Sequence, residues 1–203
     1  GAPHHNIYKD WLDDLADFLL SLDAEDDELI PIILRPFHEL NGSWFWWGKD
    51  NCTVNEFISL WRFTVDYLRD TREVGNVLYA YCTSGFFESE AEYLERYPGD
   101  DYVDIFGFDV YNNAANPTNY INRIANCMSI VGPVASVRDK IVAFTETGRV
   151  NIPESDWWTN SLWPTIKDHQ LSYVLIWRNN PQGVYTGNFY APYPGHSSAA
   201  DFN

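Results

Sequence analysis

The chain has 203 residues, 45% of them hydrophobic and 17% aromatic, with a formal net charge of -16 and a pI near 4.4. That length suits one domain with a sizeable core, and the acidic balance excludes nucleic acid as a partner, because phosphate backbones are bound through Lys and Arg. No stretch of 18 apolar residues is present, so no membrane span is expected, while an acidic surface is compatible with a neutral polysaccharide and keeps so aromatic a protein soluble.

Gly1-Ala2-Pro3-His4-His5 does not read as a signal peptide, although a processed one would leave no trace. Tyr8, Trp11, Leu12, Leu15, Leu19 and Leu22 fall at helical spacing and predict an amphipathic helix. The first strand-like run is Pro31 to Phe37. It delivers His38 and Glu39 to a strand end, followed at once by Trp44, Phe45, Trp46 and Trp47. Thr53 with Glu56 reads as a capping box that opens a helix with Phe57, Ile58, Trp61, Val65 and Leu68 on its buried face. Further strands are predicted over Asn76 to Tyr81, Tyr102 to Asp109, Lys140 to Glu146 and Leu171 to Trp177. Between them, Asn116 and Pro117 predict an N-cap and first turn for a helix through Tyr120, Ile121, Ile124, Met128 and Val131. Ser155 is expected to cap another helix, carrying Trp158 and Leu162.

This alternation of strands and helices is the pattern of a parallel α/β sheet in one compact domain. Strand starts recur about every 35 residues, so the chain holds five units, whereas a closed (β/α)8 barrel needs eight units and about 250 residues. An open five-stranded sheet and the later part of a barrel both fit. The three cysteines, Cys52, Cys82 and Cys127, are widely spaced, show no metal or redox pattern and are expected to be reduced. No metal site, phosphate loop or cofactor is indicated.

Four of the five strand runs end in groups that can do chemistry: Glu39, Asp109 with Tyr111, Glu146, and Trp177 with Arg178. In a parallel sheet such ends lie on one side. Glu39 and Glu146 have the character of the paired carboxylates of retaining glycoside hydrolysis, which must stand about 5 to 5.5 Å apart. Glu39, among Phe37 and the tryptophans, has the apolar surround of a proton-holding acid/base. Glu146, in Phe144-Thr145-Glu146-Thr147-Gly148, has donors suited to an ionised nucleophile. His38 could bind a sugar hydroxyl or a carboxylate, Asp109 a sugar hydroxyl, and Tyr111 the nucleophile. Trp44 and Trp177 offer flat apolar faces for sugar rings, and Arg178 a donor to ring hydroxyls.

The run from Arg35 to Gly48, the segment Phe144 to Gly148, and the closing Phe189-Tyr190-Ala191-Pro192-Tyr193-Pro194-Gly195-His196 resemble glycoside hydrolase family 26, chiefly endo-β-1,4-mannanases. Related barrel glycosidases usually carry Asn before the acid/base, so His38 is distinctive. The resemblance implies a TIM (β/α)8 barrel, with residues 1–203 forming a partial catalytic domain over about strands four to eight and the first three βα units absent. It matches Glu39 to the acid/base at the end of the fourth strand and Glu146 to the nucleophile at the end of the seventh. His38, Trp44, Asp109, Tyr111, Trp177 and Arg178 match positions that shape the subsite around the cleaved bond.

The implied activity is endo-hydrolysis of mannan-type polysaccharides, outside the cell or in the periplasm because such substrates do not cross membranes. Alternatives are a β-glucan or β-1,3-xylan hydrolase, or a carbohydrate-binding or inactive truncated barrel. With strands missing, Pro31 to Phe37 and Leu171 to Trp177 become edges. The isolated chain is then expected to be unstable unless a segment before Gly1 or a second chain completes it.

Overall fold

The computed structural model describes residues 3–24, 28–113, 117–179 and 188–202. Five strands form one sheet in the order β1-β2-β3-β4-β5: β1 (Ile32–Leu34), β2 (Val77–Ser84), β3 (Ile105–Asn112), β4 (Ile141–Arg149) and β5 (Val174–Ile176). The chain divides into two compact units, residues 1–81 with 95–105 and residues 82–94 with 106–203, and it passes between them within β2 and β3.

In the first unit, helix α1 (Pro3–Leu20) buries Leu12, Ala16 and Leu19 while Trp11 stays exposed, so the inward stripe is narrower than its apolar spacing predicts, and Leu22 lies beyond the helix end. Helix α2 (Val54–Asp66) opens as its sequence requires: Thr53 Oγ1 accepts from the Glu56 amide, and the Glu56 carboxylate accepts from the Thr53 amide. Those bonds from Thr53 hold the Glu56 carboxyl below its ordinary range. Phe57, Trp61 and Val65 form the buried face, and Leu68 is buried in the π-helical turn Tyr67–Thr71 that continues the helix. This crossover makes β1 and β2 parallel, with Ile32 opposite Val77 and Leu34 opposite Tyr79. α1 is tied to the turn after α2 by the Tyr67 hydroxyl, which donates to Asp13, and by Arg72, which bonds Asp13 and Asp17.

The second unit stacks the Phe108 and Phe144 rings at 4.8 Å and buries Phe87, Tyr93 and Phe106 beside helix α3 (Glu90–Tyr93). Helix α4 (Pro117–Ser136) buries Tyr120, Ile124, Cys127, Met128 and Val131, and its expected cap, Asn116, lies outside the described residues. After β4 come a π-helical turn (Trp158–Leu162) and α5 (Trp163–Ile166). Ser155 does not cap them. The carboxylate of Asp201, in the closing helix α6 (Ala199–Phe202), accepts from the amides of Trp158 and Thr159 instead. An acceptor that arrives from 43 residues away does what a local cap would do.

β4 and β5 are parallel, with Phe144 opposite Val174 and Thr147 opposite Ile176, so β4 carries one extra residue between those pairs. All three cysteines are free thiols.

Candidate active site

Glu39 is presented by a loop beyond β1, not by the strand itself. Phe37 and Glu39 have φ of 49° and 51°, left-handed values that cost a residue with a Cβ about 1 to 2 kcal/mol each. The loop supplies the compensation. The Phe37 ring packs edge-on against Trp46, Trp47 and Phe57 and tilted against Trp61, at 5.9 to 6.2 Å. The Gly42 amide donates to the Glu39 carbonyl at 2.9 Å, and the Trp47 indole donates to the His38 carbonyl at 2.8 Å. With its backbone fixed, Glu39 turns its side chain to Trp44, whose indole N–H donates to Glu39 Oε2 at 2.8 Å. The His38 ring lies beside Phe45 and Trp47, at 4.8 and 5.9 Å.

Two glycines make this return possible. A Cβ on Gly42 would stand 2.3 Å from the Trp44 ring, and one on Gly48 would stand 2.1 Å from the Gly42 carbonyl. The amide of Lys49 donates to that same carbonyl, and the Asn51 side-chain amide donates to the carbonyls of Ser43 and Phe45. From the 95–105 segment of the same unit, the buried Arg96 guanidinium donates to the carbonyls of Lys49 and Cys52 at 2.8 and 2.9 Å. Sequence reading missed Arg96 and Gly42. The short spacing of Gly42 to Trp44 was the available signal for the glycine; nothing local marks Arg96.

In the second unit Glu146 sits inside β4 and is only 4% exposed. The Tyr111 hydroxyl donates to Glu146 Oε2 at 2.5 Å. One residue earlier, the Thr145 hydroxyl donates to Asp109 Oδ1 at 2.7 Å. Consecutive side chains of β4 thus both reach β3, which a regular pleat forbids; the extra residue between Phe144 and Thr147 permits it. Asp109 is 3% exposed and accepts also from the Cys82 thiol, at 3.1 Å. Asp109, expected to bind a sugar hydroxyl, is thus also held by groups of β2 and β4. Gly107 makes room for Thr145, since a Cβ there would lie 2.5 Å from Thr145 Cγ2.

Tyr111 is backed by Tyr190, ring centroids 5.3 Å apart, and Gly148 leaves the space that Tyr190 fills, a Cβ there falling 2.7 Å from its ring. The Tyr190 amide donates to the Arg178 carbonyl, and the Trp177 amide to the Thr147 carbonyl. Trp177 and Arg178 thus follow β5 on the same side as the end of β4, with both side chains exposed. Beyond Glu146, the Arg149 guanidinium donates to the carboxylate of Glu154 at 2.8 and 2.9 Å and to the Asn112 carbonyl. Arg149 draws the Glu154 carboxyl below its ordinary range.

His38, Glu39 and Trp44 therefore belong to the first unit and Asp109, Tyr111, Glu146, Trp177 and Arg178 to the second. Among the described residues, no three His, Cys, Asp or Glu side chains gather as a metal-ligand set, and no helix is long and apolar enough to cross a membrane.

Comparison with known proteins gives a consistent result. The model of glycosyl hydrolase family 26 matches residues 2–182. A mannan endo-1,4-beta-mannosidase of Bifidobacterium adolescentis is 36% identical across the whole of this chain, which covers 22% of that protein. Among solved structures, a family 26 beta-mannanase of Bacteroides ovatus shares 46% identity and superposes with a TM-score of 0.91, over 98% of this chain and 56% of its own. A modular endo-beta-1,4-mannanase of Cellulomonas fimi shares 33% identity with a TM-score of 0.88, over all of this chain and 46% of its own. The chain spans between about a fifth and just over half of these relatives, and its five βα units are part of a (β/α)8 barrel. With nearly its whole length matched by the family model, the chain belongs to glycosyl hydrolase family 26.

Proposed function

We propose that the chain carries the catalytic centre of a retaining endo-β-1,4-mannanase. The observation that supports this most directly is the Tyr111 hydroxyl on Glu146, a carboxylate embedded in a strand and oriented by a close hydroxyl donor, as a nucleophile requires. Glu146 attacks the anomeric carbon while Glu39 protonates the departing glycosidic oxygen, and the C–O bond to the leaving sugar breaks. Glu39, now a carboxylate, takes a proton from water, whose oxygen displaces Glu146 and restores both groups with net retention. Trp44 holds Glu39 in place through its indole N–H and offers its exposed face to a sugar ring.

The substrate is a mannan-type polysaccharide, glucomannan and galactomannan included, and because such polymers stay outside membranes the protein works outside the cell or in the periplasm. The choice of mannan rests on the names of the relatives. Reducing ends released from mannan, β-glucan and β-1,3-xylan, with Glu146→Gln beside the unaltered chain, provide the test. The expectation is release from mannan that falls by roughly three to four orders of magnitude in the variant. Activity persisting in a folded Glu146→Gln protein would sink the mechanism, and faster release from glucan or xylan would move the substrate. Mannan binding without release by the unaltered chain would make it a binding module.

A further inference from the structure

The thiol of Cys82 takes no part in the reaction described above, yet it reaches the residue that precedes Glu146. Cys82 on β2 and Thr145 on β4 are fully buried, and Asp109 on β3 nearly so. The thiol donates to Asp109 Oδ1 at 3.1 Å and lies 2.8 Å from Thr145 Oγ1, while the Thr145 hydroxyl donates to the same Oδ1 at 2.7 Å. Side chains of three strands thus converge on one carboxylate oxygen.

β2 and β4 are not neighbours in the sheet, and in a flat one they would run about 9.5 Å apart. Their side chains meet over β3 because it is bare there. Gly107 stands two residues before Asp109 and so on the same face, and a Cβ on it would lie 2.5 Å from Thr145 Cγ2 and 2.7 Å from Thr145 Oγ1. Thr145 occupies that space, its hydroxyl held from β2 and β3. It also lies in the stretch of β4 that carries the extra residue between Phe144 and Thr147. A stretch with its ladder locally disrupted keeps its form only where side chains fix it. A thiol is a weak donor, but it faces acceptors sealed from water, where losing a partner leaves a buried polar group unsatisfied. Space filling alone would not require that alignment.

We infer that Cys82 is a positioning residue for the nucleophile. Through Asp109 and Thr145 it holds the irregular stretch of β4 in the form that directs Glu146 to the Tyr111 hydroxyl. The inference rests on the role proposed for Glu146 above.

The test measures Cys82→Ala, Cys82→Ser and Thr145→Val on 2,4-dinitrophenyl β-mannotrioside, whose leaving group departs without a proton, so that kcat/KM reads attack by Glu146 and not proton delivery by Glu39. Cys82→Ala is expected to lower kcat/KM roughly three- to tenfold. Cys82→Ser, which keeps a donor, should recover most of that, and Thr145→Val, which breaks the cluster from β4, should lose as much as Cys82→Ala. In a Tyr111→Phe background, Cys82→Ala should cost less than about twofold, because the orientation it protects is already lost. No loss in Cys82→Ala, a Cys82→Ser protein no better than Cys82→Ala, or an equal loss in both backgrounds would make Cys82 a packing residue and overturn the inference. Should Cys82→Ala fail to fold, Thr145→Val, which keeps the shape of the side chain, carries the same comparison between backgrounds. If the unaltered chain does not hydrolyse the substrate, the hydrolase reading fails separately and hydrogen exchange at the 144–147 amides decides. Faster exchange there in Cys82→Ala, reversed in Cys82→Ser, supports the brace; no change, or the same change in both variants, overturns it.

Discussion

Glu39 stands beyond the end of a three-residue strand, on a loop with left-handed backbone at two positions, partly open to solvent and bonded by the Trp44 indole. Glu146 lies within a nine-residue strand, buried, against a phenol that is itself backed by a second ring. Each carboxylate departs from regular geometry, the first through positive φ and the second through an extra residue in β4. The contrast matches the two chemical demands of the proposed reaction. An acid/base trades protons with a leaving oxygen and then with water, so it must face open space. A nucleophile must present one oxygen in one direction, so it is better carried by a strand whose neighbours cannot move.

That contrast is broken most severely at Tyr111. Tyr111→Phe removes the donor to Glu146 and keeps the ring that packs on Tyr190, so kcat is expected to fall about 10²-fold while the melting temperature stays within a degree or two of the unaltered chain. Steady-state kinetics and a thermal melt check both. A loss under threefold would mean that the strand alone orients Glu146.

The loop offers a gentler probe. Gly42→Ala puts a methyl group 2.3 Å from the Trp44 ring, so the indole must swing away and release Glu39. About tenfold in kcat/KM is expected to go with the Trp44 donor, at the low end of the range for a catalytic-site donor because Glu39 remains partly solvated. Tryptophan fluorescence should report the displaced ring. Full activity with a moved ring would show that the acid/base needs no such brace.

How far the sequence announced this depends on how local each signal is. The Thr53 and Glu56 capping box and the stripe of Phe57, Trp61 and Val65 are written within a few turns, and they appear as read. Strand ends are not. Polar residues at Ser84, Asn112, Thr147 and Arg149 look like loop, yet they are buried within β2, β3 and β4, where neighbouring strands and side chains bond them. The first strand errs the other way: the strand-like run extends through Arg35 and Pro36 to Phe37, but these residues leave the sheet as Phe37 turns to positive φ. Each glutamate could be picked out from its neighbours in sequence. Tyr111 as the donor to Glu146 was legible from the Asp109 and Tyr111 spacing, while Arg96 and Asp201 act over long separations and left no trace.

The mildest test concerns what keeps Glu146's strand rigid. Three residues past Glu146, Arg149 is buried, paired with Glu154 and bonded to the last carbonyl of β3 at Asn112, so it clamps the two strands that carry Tyr111 and Glu146. Glu154→Gln leaves that guanidinium without its carboxylate. Because the Glu154 side chain is 38% exposed, the stability cost is expected to be only about 1 kcal/mol. The folded carboxyl is held below its unfolded value, so the pair stabilises the native state above the unfolded carboxylate range near pH 4.3 and loses that contribution as pH falls through the lower folded value. Urea melts should therefore separate variant from unaltered chain at pH 7 and begin to converge as pH falls below about 4, with kcat at pH 7 changed less than twofold if the clamp secures stability while Tyr111 orients the nucleophile without it. A large fall in kcat from so small a loss of stability would instead show that Glu146 is oriented by the whole strand end, and the contrast between a braced loop and a self-sufficient strand would not hold.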